Sequence, residues 1–106
     1  MSQFLKSLEA LAVIDDLASL ELYEGNKVTP VAIIENKPGK AGSLRVYYYL
    51  ANQFGGISPK AAEIGLEIFA EYTEQAKQNP GSHPNIDLLF DVIQQQRYIA
   101  VKAIKK

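Results

Sequence analysis

Cysteine and tryptophan are absent from this chain of 106 residues, and histidine occurs once. Without cysteine there is neither a disulfide framework nor a thiolate zinc site, and a single imidazole cannot supply a histidine-rich metal site. We therefore expect no metal ion and no cofactor. Neither positive nor negative side chains are in large excess, since the formal net charge is −1. No overall field would draw such a chain to nucleic acid or to an anionic membrane surface.

Long apolar runs are lacking as well. No stretch approaches the ~20 apolar residues that a membrane-spanning helix needs. The first residues, Met1–Lys6, do not show the basic and then apolar segments of a secretory signal, so we expect a cytoplasmic protein. What is present is ordinary for a globular chain, with 47% hydrophobic and 22% charged residues. This length suits one domain, and we expect a single domain over 1–106.

The predicted strands begin with a hairpin. Apolar and polar residues alternate over 17–24, which is the period of a half-buried strand. Gly25-Asn26 is predicted as a two-residue turn, because glycine readily takes the positive φ needed there, and the return strand is predicted at 28–35. Pro30 cannot donate a ladder hydrogen bond, so we expect this strand at the edge of the sheet. The last segment, 98–104, is rich in Ile, Val and Tyr and is predicted as a third strand.

Helical spacing and end signals predict about four helices, which open at Ser2, Ser43, Pro59 and Pro84. The segment 43–54 also contains β-forming Val and Tyr, but a serine at its N-cap position and Gly55 just past its end favour a helix. The next helix is expected to run unbroken from Pro59 to about Gln78. Gly65 lies on its apolar face at a cost of roughly 1 kcal/mol against alanine, which indicates close approach of a neighbouring backbone.

Together these elements predict an α+β domain with the order α-β-β-α-α-α-β. The hairpin and the C-terminal strand form a three-stranded, mostly antiparallel sheet. The helices pack on one face of this sheet, which gives a two-layer arrangement.

The first chemically suggestive segment is the loop that leads into the helix at Ser43. Two glycines loosen its backbone, three cations lie nearby, and the first amides of the helix point outward, an arrangement that favours an anion. The residues of this predicted ligand site are Lys37, Gly39, Lys40, Gly42, Ser43 and Arg45. The segment is not a Walker A motif, because Gly42 is followed by Ser43 and not by Lys-Ser. A solvated connector with a capping serine is the favoured interpretation.

A second such segment, 79–87, contains the single histidine. An imidazole titrates near neutral pH and suits acid–base chemistry, so His83 is a candidate ligand-binding residue together with Asn85. Asp87, one turn into the following helix, can orient the ring or complement the helix dipole. A polar capping loop is the favoured interpretation here too, and no catalytic residue is assigned.

Surplus apolar surface suggests self-association. Tyr49 faces away from the apolar arc of its helix, and Leu88 and Val92 lie off the main apolar arc of the last helix. These three residues are the predicted contact surface. We expect a homo-oligomer, most simply a two-fold dimer, because such assemblies are common.

The chain resembles a family of short bacterial proteins classed as a domain of unknown function. The resemblance rests on three segments: Glu35–Ser43 followed by a tyrosine-bearing helix, Gly65–Glu67 with Ala70-Glu71, and Asn79–Gly81 with His83–Asp87. It covers nearly the whole chain. It implies a bacterial cytoplasmic protein and supplies no activity.

Two classes of function therefore stay open. The preferred one is a small, non-catalytic binding or assembly module, because no strong catalytic signature is present. The alternative is a ligand-binding protein or small enzyme that uses the two Pro-Gly loops. If folding brings the two helix N-termini together, they would form a pocket for a small anionic ligand such as a phosphate or carboxylate.

Overall fold

The computed structural model describes residues 14–25, 27–38 and 40–106. The described elements are β1 (Leu17–Glu24), β2 (Ala32–Glu35), α1 (Ala41–Phe54), α2 (Pro59–Phe69), α3 (Glu71–Gln78), α4 (Pro84–Gln95) and β3 (Ile99–Lys105). The sheet is antiparallel in the order β2-β1-β3. The α+β prediction is confirmed. The helix predicted to open at Ser2, and Asn26 of the predicted turn, lie outside the described residues.

Strand β1 lies in the centre of the sheet and supplies most of the side chains that the sheet buries in the core. A register shift between Leu17 and Ser19 interrupts the alternation of the strand, so that Leu17 is buried along with Leu20 and Leu22. These leucines join one hydrophobic core to which all four described helices contribute buried side chains. In the described part of the chain, no helix combines the length and apolar character needed to cross a bilayer.

The predicted hairpin is wrong in its register. A turn does close where Lys27 N–H donates to the Glu24 carbonyl (3.2 Å), but a two-residue turn would pair Leu20 with Val31, whereas Leu20 pairs with Ile34. This shift of three residues exchanges the two faces of the strand: Ile34 is 1% exposed and Ile33 is 54% exposed. The sequence pattern allows either face, because both residues are isoleucine. The strand is also shorter than predicted: it covers Ala32–Glu35 and begins after Pro30, which cannot donate to the ladder.

Helix α1 is confirmed, although it begins earlier than predicted. The Lys37 carbonyl accepts hydrogen bonds from the N–H groups of Lys40 and Ala41, both at 2.9 Å. This turn makes Lys40 the N-cap, and Ser43 lies inside the first helical turn instead of capping it. The C-terminus ends as predicted, with Gly55 in the left-handed conformation at φ 77°.

The long helix predicted from Pro59 to Gln78 is two helices, because the chain breaks at Ala70, whose φ is 52° and ψ is −116°. Ala70 N–H donates to the Glu67 carbonyl (3.1 Å), and the Leu66 carbonyl, its partner in a continuous helix, accepts the Thr73 hydroxyl instead (2.6 Å). The beginning of α2 agrees with the prediction, since Ser58 caps it through the Ala61 N–H at 3.2 Å.

Two packing predictions are also corrected. A Cβ at Gly65 would lie 2.8 Å from a methyl group of Leu50 and 2.9 Å from one of Leu89, so side chains of α1 and α4, not a backbone, approach this glycine. Val92, predicted on a contact surface, is fully buried, because α4 packs against both α2 and α3 and its buried arc is wider than the apolar pattern indicated. Tyr49 and Leu88 are half-buried and pack against the core.

Candidate functional site

A pocket of about 740 Å³ opens where four segments of the chain meet. Its walls are β2, the first turn of α1, the junction of α2 with α3, and the loop and first turn of α4. The lining residues are Ala32, Ile33, Ile34, Lys40, Gly42, Ser43, Phe69, Tyr72, Ser82, His83, Pro84, Asn85 and Ile86. Residues 40–43 and 82–86, far apart along the chain, therefore border one cavity.

The α1 side of the pocket carries its cation. Lys40 is the N-cap, and Gly42 and Ser43 lie in the first turn, where helical amides have no intrahelical acceptor and the helix dipole is positive. The Lys40 amine is 3.9 Å from a carboxylate oxygen of Glu35, whereas the Lys37 amine is 2.8 Å from the other oxygen. The hydrogen bond from Lys37, with a smaller contribution from the Lys40 charge, lowers the pKa of Glu35. Glu35 is thus held mainly by Lys37.

The α4 side presents a second helix N-terminus. His83 is the N-cap, and its carbonyl accepts the N–H groups of Ile86 and Asp87 at 3.0 and 2.9 Å. Proline at the first helical position has no N–H, and the Asn85 N–H has no hydrogen-bond acceptor among the described residues. This amide remains available to a ligand in the pocket.

Asp87 holds the loop and does not orient the histidine. Its carboxylate accepts a hydrogen bond from the Gly81 N–H at 2.9 Å. The imidazole Nε2 of His83 instead lies 3.2 Å from the amide oxygen of Gln75 on α3. Of the two roles predicted for Asp87, orientation of His83 is therefore wrong, while its place in the first turn suits the helix dipole.

The floor and one wall of the pocket are apolar and aromatic. Ile34, Phe69 and Ile86 are buried in the core beneath it. The rings of Tyr72 and His83 meet edge to face, with centroids 5.6 Å apart and planes at 64°, a favoured geometry for neighbouring rings. The chain breaks at Ala70, two residues before Tyr72, and the new helix begins at Glu71, so this kink helps to set the aromatic wall.

A partly buried hydrogen bond connects the two helices that supply the polar residues. The Tyr47 hydroxyl of α1 donates to the Asn85 carbonyl of α4 at 2.5 Å. Burial raises the pKa of Tyr47, so its hydroxyl stays protonated and keeps its donor. Local sequence patterns do not reveal this bond, because a buried tyrosine needs some partner but its spacing does not identify which one.

The predicted ligand residues are only partly brought together. Those that line the pocket are Lys40, Gly42, Ser43, His83 and Asn85. Lys37 and Arg45 lie outside its lining, and Gly39 lies outside the described residues. Phe69 and Tyr72 were missed as site residues, because their spacing in the sequence is that of an ordinary apolar helix face and only the fold places them beside His83.

Residues 4–103 match the family described as "Uncharacterized protein conserved in bacteria (DUF2322)". The chain belongs to this family. The match confirms the resemblance seen in the sequence, and it extends over the strands, helices and both loops of the pocket. No curated protein and no solved structure matches the chain. Membership of DUF2322 brings no activity with it, so the chemistry of the pocket has to suggest the function.

Proposed function

We propose that this protein binds a small organic anion, a phosphate or carboxylate with an apolar portion, in the pocket between α1 and α4. The observation that carries the proposal is that two helix N-termini, together with Lys40 and His83, open into one cavity. The role is one of binding, and no catalytic residue is assigned. We also propose that the protein is located in the cytoplasm, as the sequence suggests, and cell fractionation tests that location.

Electrostatics favours an anion at the polar end of the pocket. Each helix N-terminus presents amides and a partial positive charge, and Lys40 adds a full one. In the described part of the chain, the only carboxylate paired with the Lys40 amine is that of Glu35, at 3.9 Å, and Lys37 lies closer to the same carboxylate, at 2.8 Å. The side chain of Lys40 is 57% exposed and can turn toward a ligand.

The apolar surface indicates the rest of the ligand. Phe69, Ile34 and Ile86 offer a floor, and Tyr72 offers an aromatic wall. A volume of about 740 Å³ falls in the range that pockets for small molecules occupy. A planar or apolar group against this surface, with its anion at Lys40, fills both halves of the cavity.

The test is an amide chemical-shift titration with three probes: inorganic phosphate, a nucleoside monophosphate and the matching nucleoside. The expected result is saturable shifts at Lys40–Ser43 and Ser82–Ile86, strongest with the monophosphate, which has both an anion and a ring. Lys40→Ala is expected to weaken binding about tenfold or more, the loss of one charged hydrogen bond. Glu35→Gln removes the carboxylate that competes for Lys40 and is expected to strengthen binding of the monophosphate.

Lys60→Ala is the matched control, because Lys60 is an exposed lysine in the first turn of α2 and lies outside the pocket lining. It should bind the monophosphate like the unmodified protein. The proposal fails if no probe gives saturable shifts at millimolar concentration. It also fails if Lys40→Ala and Lys60→Ala weaken binding equally, which would mean diffuse attraction to surface charge.

A further inference from the structure

Strand β2 ends the described sheet with open main-chain groups. Asn36 N–H donates to the Ala18 carbonyl at 2.9 Å and Leu20 pairs with Ile34, so the hydrogen-bonding groups of Ile34 point to β1 and those of Ile33 and Glu35 point away. In the described part of the chain, the Ile33 N–H and C=O and the Glu35 N–H have no hydrogen-bond partner. This row of groups is a template for another strand.

The same edge carries three of the five exposed large apolar side chains of the described residues. Val28 is 92% exposed, Val31 43% and Ile33 54%, and all three lie in β2 or in the segment that leads into it. The opposite edge strand, β3, carries the exposed lysines Lys102 and Lys105, the kind of residue that blocks edge pairing. One edge of the sheet is protected by charge, and the other is not.

We propose that a second copy of this chain pairs with β2 as an antiparallel strand, with the two-fold axis passing beside Ile33. Ile33 then exchanges both main-chain hydrogen bonds with the partner's Ile33, and Glu35 lies opposite the partner's Val31. The two sheets join into one of six strands. The exposed valine and isoleucine side chains of both copies become cross-strand neighbours, the pairs that stabilise a sheet.

Charge favours a second copy as the occupant. The C-terminal end of β2 leads to Lys37 and Lys40. Its N-terminal end borders a smaller cavity of about 420 Å³ in which Val31 lies with Asp87, Asp91 and Arg97. Arg97 is paired with Asp91, so Asp87 is the carboxylate of this cavity that has no ion pair among the described residues. An antiparallel pairing of two identical strands brings the lysine end of each copy toward Asp87 of the other, whereas an unrelated strand has no such match.

The sequence predicted a homo-oligomer, but through Tyr49, Leu88 and Val92. Val92 is buried and the other two pack on the core, so the proposed contact moves to β2. The pairing needs no ligand in the pocket, and its failure would leave the proposed anion binding standing.

The first experiment is sedimentation equilibrium of the full chain from micromolar to millimolar concentration. A mass of twice 11.7 kDa is expected at the upper end. Ile33→Asp places two carboxylates beside each other at the two-fold axis and is expected to weaken the dimer about tenfold or more. Phe54→Asp is the matched control, because Phe54 is a comparably exposed apolar side chain (40%) at the end of α1; it should leave the dimer intact.

The second experiment is amide hydrogen exchange, which reads the contact directly. Exchange at Ile33 and Glu35 is expected to slow as concentration rises and to return to the fast rate in Ile33→Asp. A monomer at every concentration overturns the proposal, as does a dimer that Ile33→Asp leaves intact or that Phe54→Asp weakens equally. Slow exchange at these amides in a monomer also overturns it, because the edge would then be covered within one chain.

Discussion

The Tyr47 hydroxyl donates a hydrogen bond to the Asn85 carbonyl at 2.5 Å and so joins the middle of α1 to the first turn of α4. The first turns of these two helices carry the polar residues of the pocket, Lys40 on one side and His83 on the other. The phenol is buried and neutral, since burial raises the pKa of Tyr47 and keeps its hydroxyl a donor. It therefore helps to set the distance between the two loops.

Removing this hydroxyl is expected to destabilise the protein. Tyr47→Phe deletes the donor to the partly buried Asn85 carbonyl and should lower the free energy of unfolding by about 1 kcal/mol. Urea denaturation measures the change. Tyr48→Phe is the control, because Tyr48 is the adjacent, half-buried tyrosine of the same helix, and it should cost clearly less. Equal losses for both variants would show that the bond to Asn85 is unimportant.

Glycine at position 70 is expected to stabilise the protein. Ala70 has a positive φ of 52°, which costs an alanine about 1–3 kcal/mol and a glycine much less. Ala70→Gly should therefore raise the free energy of unfolding by about 1 kcal/mol in a denaturation experiment. Ala51→Gly, in the interior of α1, should lower it by about as much. A loss in Ala70→Gly like that in Ala51→Gly would indicate an unbroken helix through residue 70.

A side chain at position 56 is expected to displace Tyr98. A Cβ on Gly56 would overlap the Tyr98 hydroxyl and ring, and that hydroxyl donates to the Gly55 carbonyl at 2.7 Å. Gly56→Ala should cost roughly 1–2 kcal/mol of stability. In a Tyr98→Ala background the same substitution should cost less, because the clash is gone and only the backbone strain at Gly56, whose φ is 159°, remains. A double-mutant cycle with no coupling energy would contradict this contact.

Stability is expected to fall on the acid side partly through Glu24. The hydrogen bond from Arg97, Nε to Oε2 at 2.6 Å, lowers the pKa of Glu24 below its ordinary value of 4.5. A lowered folded pKa gives stability that is present above the unfolded value and is lost as pH falls through the folded one. Melting temperatures measured from neutral to strongly acidic pH should therefore drop less in Glu24→Gln.

The control for this pH effect is the partner residue. Arg97→Gln removes the same ion pair and should flatten the acid slope to a similar extent, although it also releases Asp91. The variant with both substitutions should show an acid slope close to that of either single variant. Independent, additive slopes would show that the pKa of Glu24 is not set by Arg97.

Elements whose signals are local could be predicted from the sequence. The serine and proline that begin α2 and Gly55 at the end of α1 act over a few residues, and both agree with the structure. The alternation of 17–24 correctly predicts a strand, although Leu17 is buried and Ala18 exposed because the register shifts between Leu17 and Ser19. Both loops of the pocket were recognisable in the same way, because glycine, proline and helix N-termini act on the backbone beside them.

Features that depend on contacts between distant parts of the chain could not be predicted in this way. The choice between Ile33 and Ile34 for the core, the break of the long helix at Ala70, and the burial of Val92 each follow from packing against other elements, which no local pattern encodes. The meeting of Lys40 with His83 at one pocket has the same cause. Short-range rules of capping and periodicity place the start of a helix to within a few residues, but burial of a shared core fixes which helix ends come to face each other.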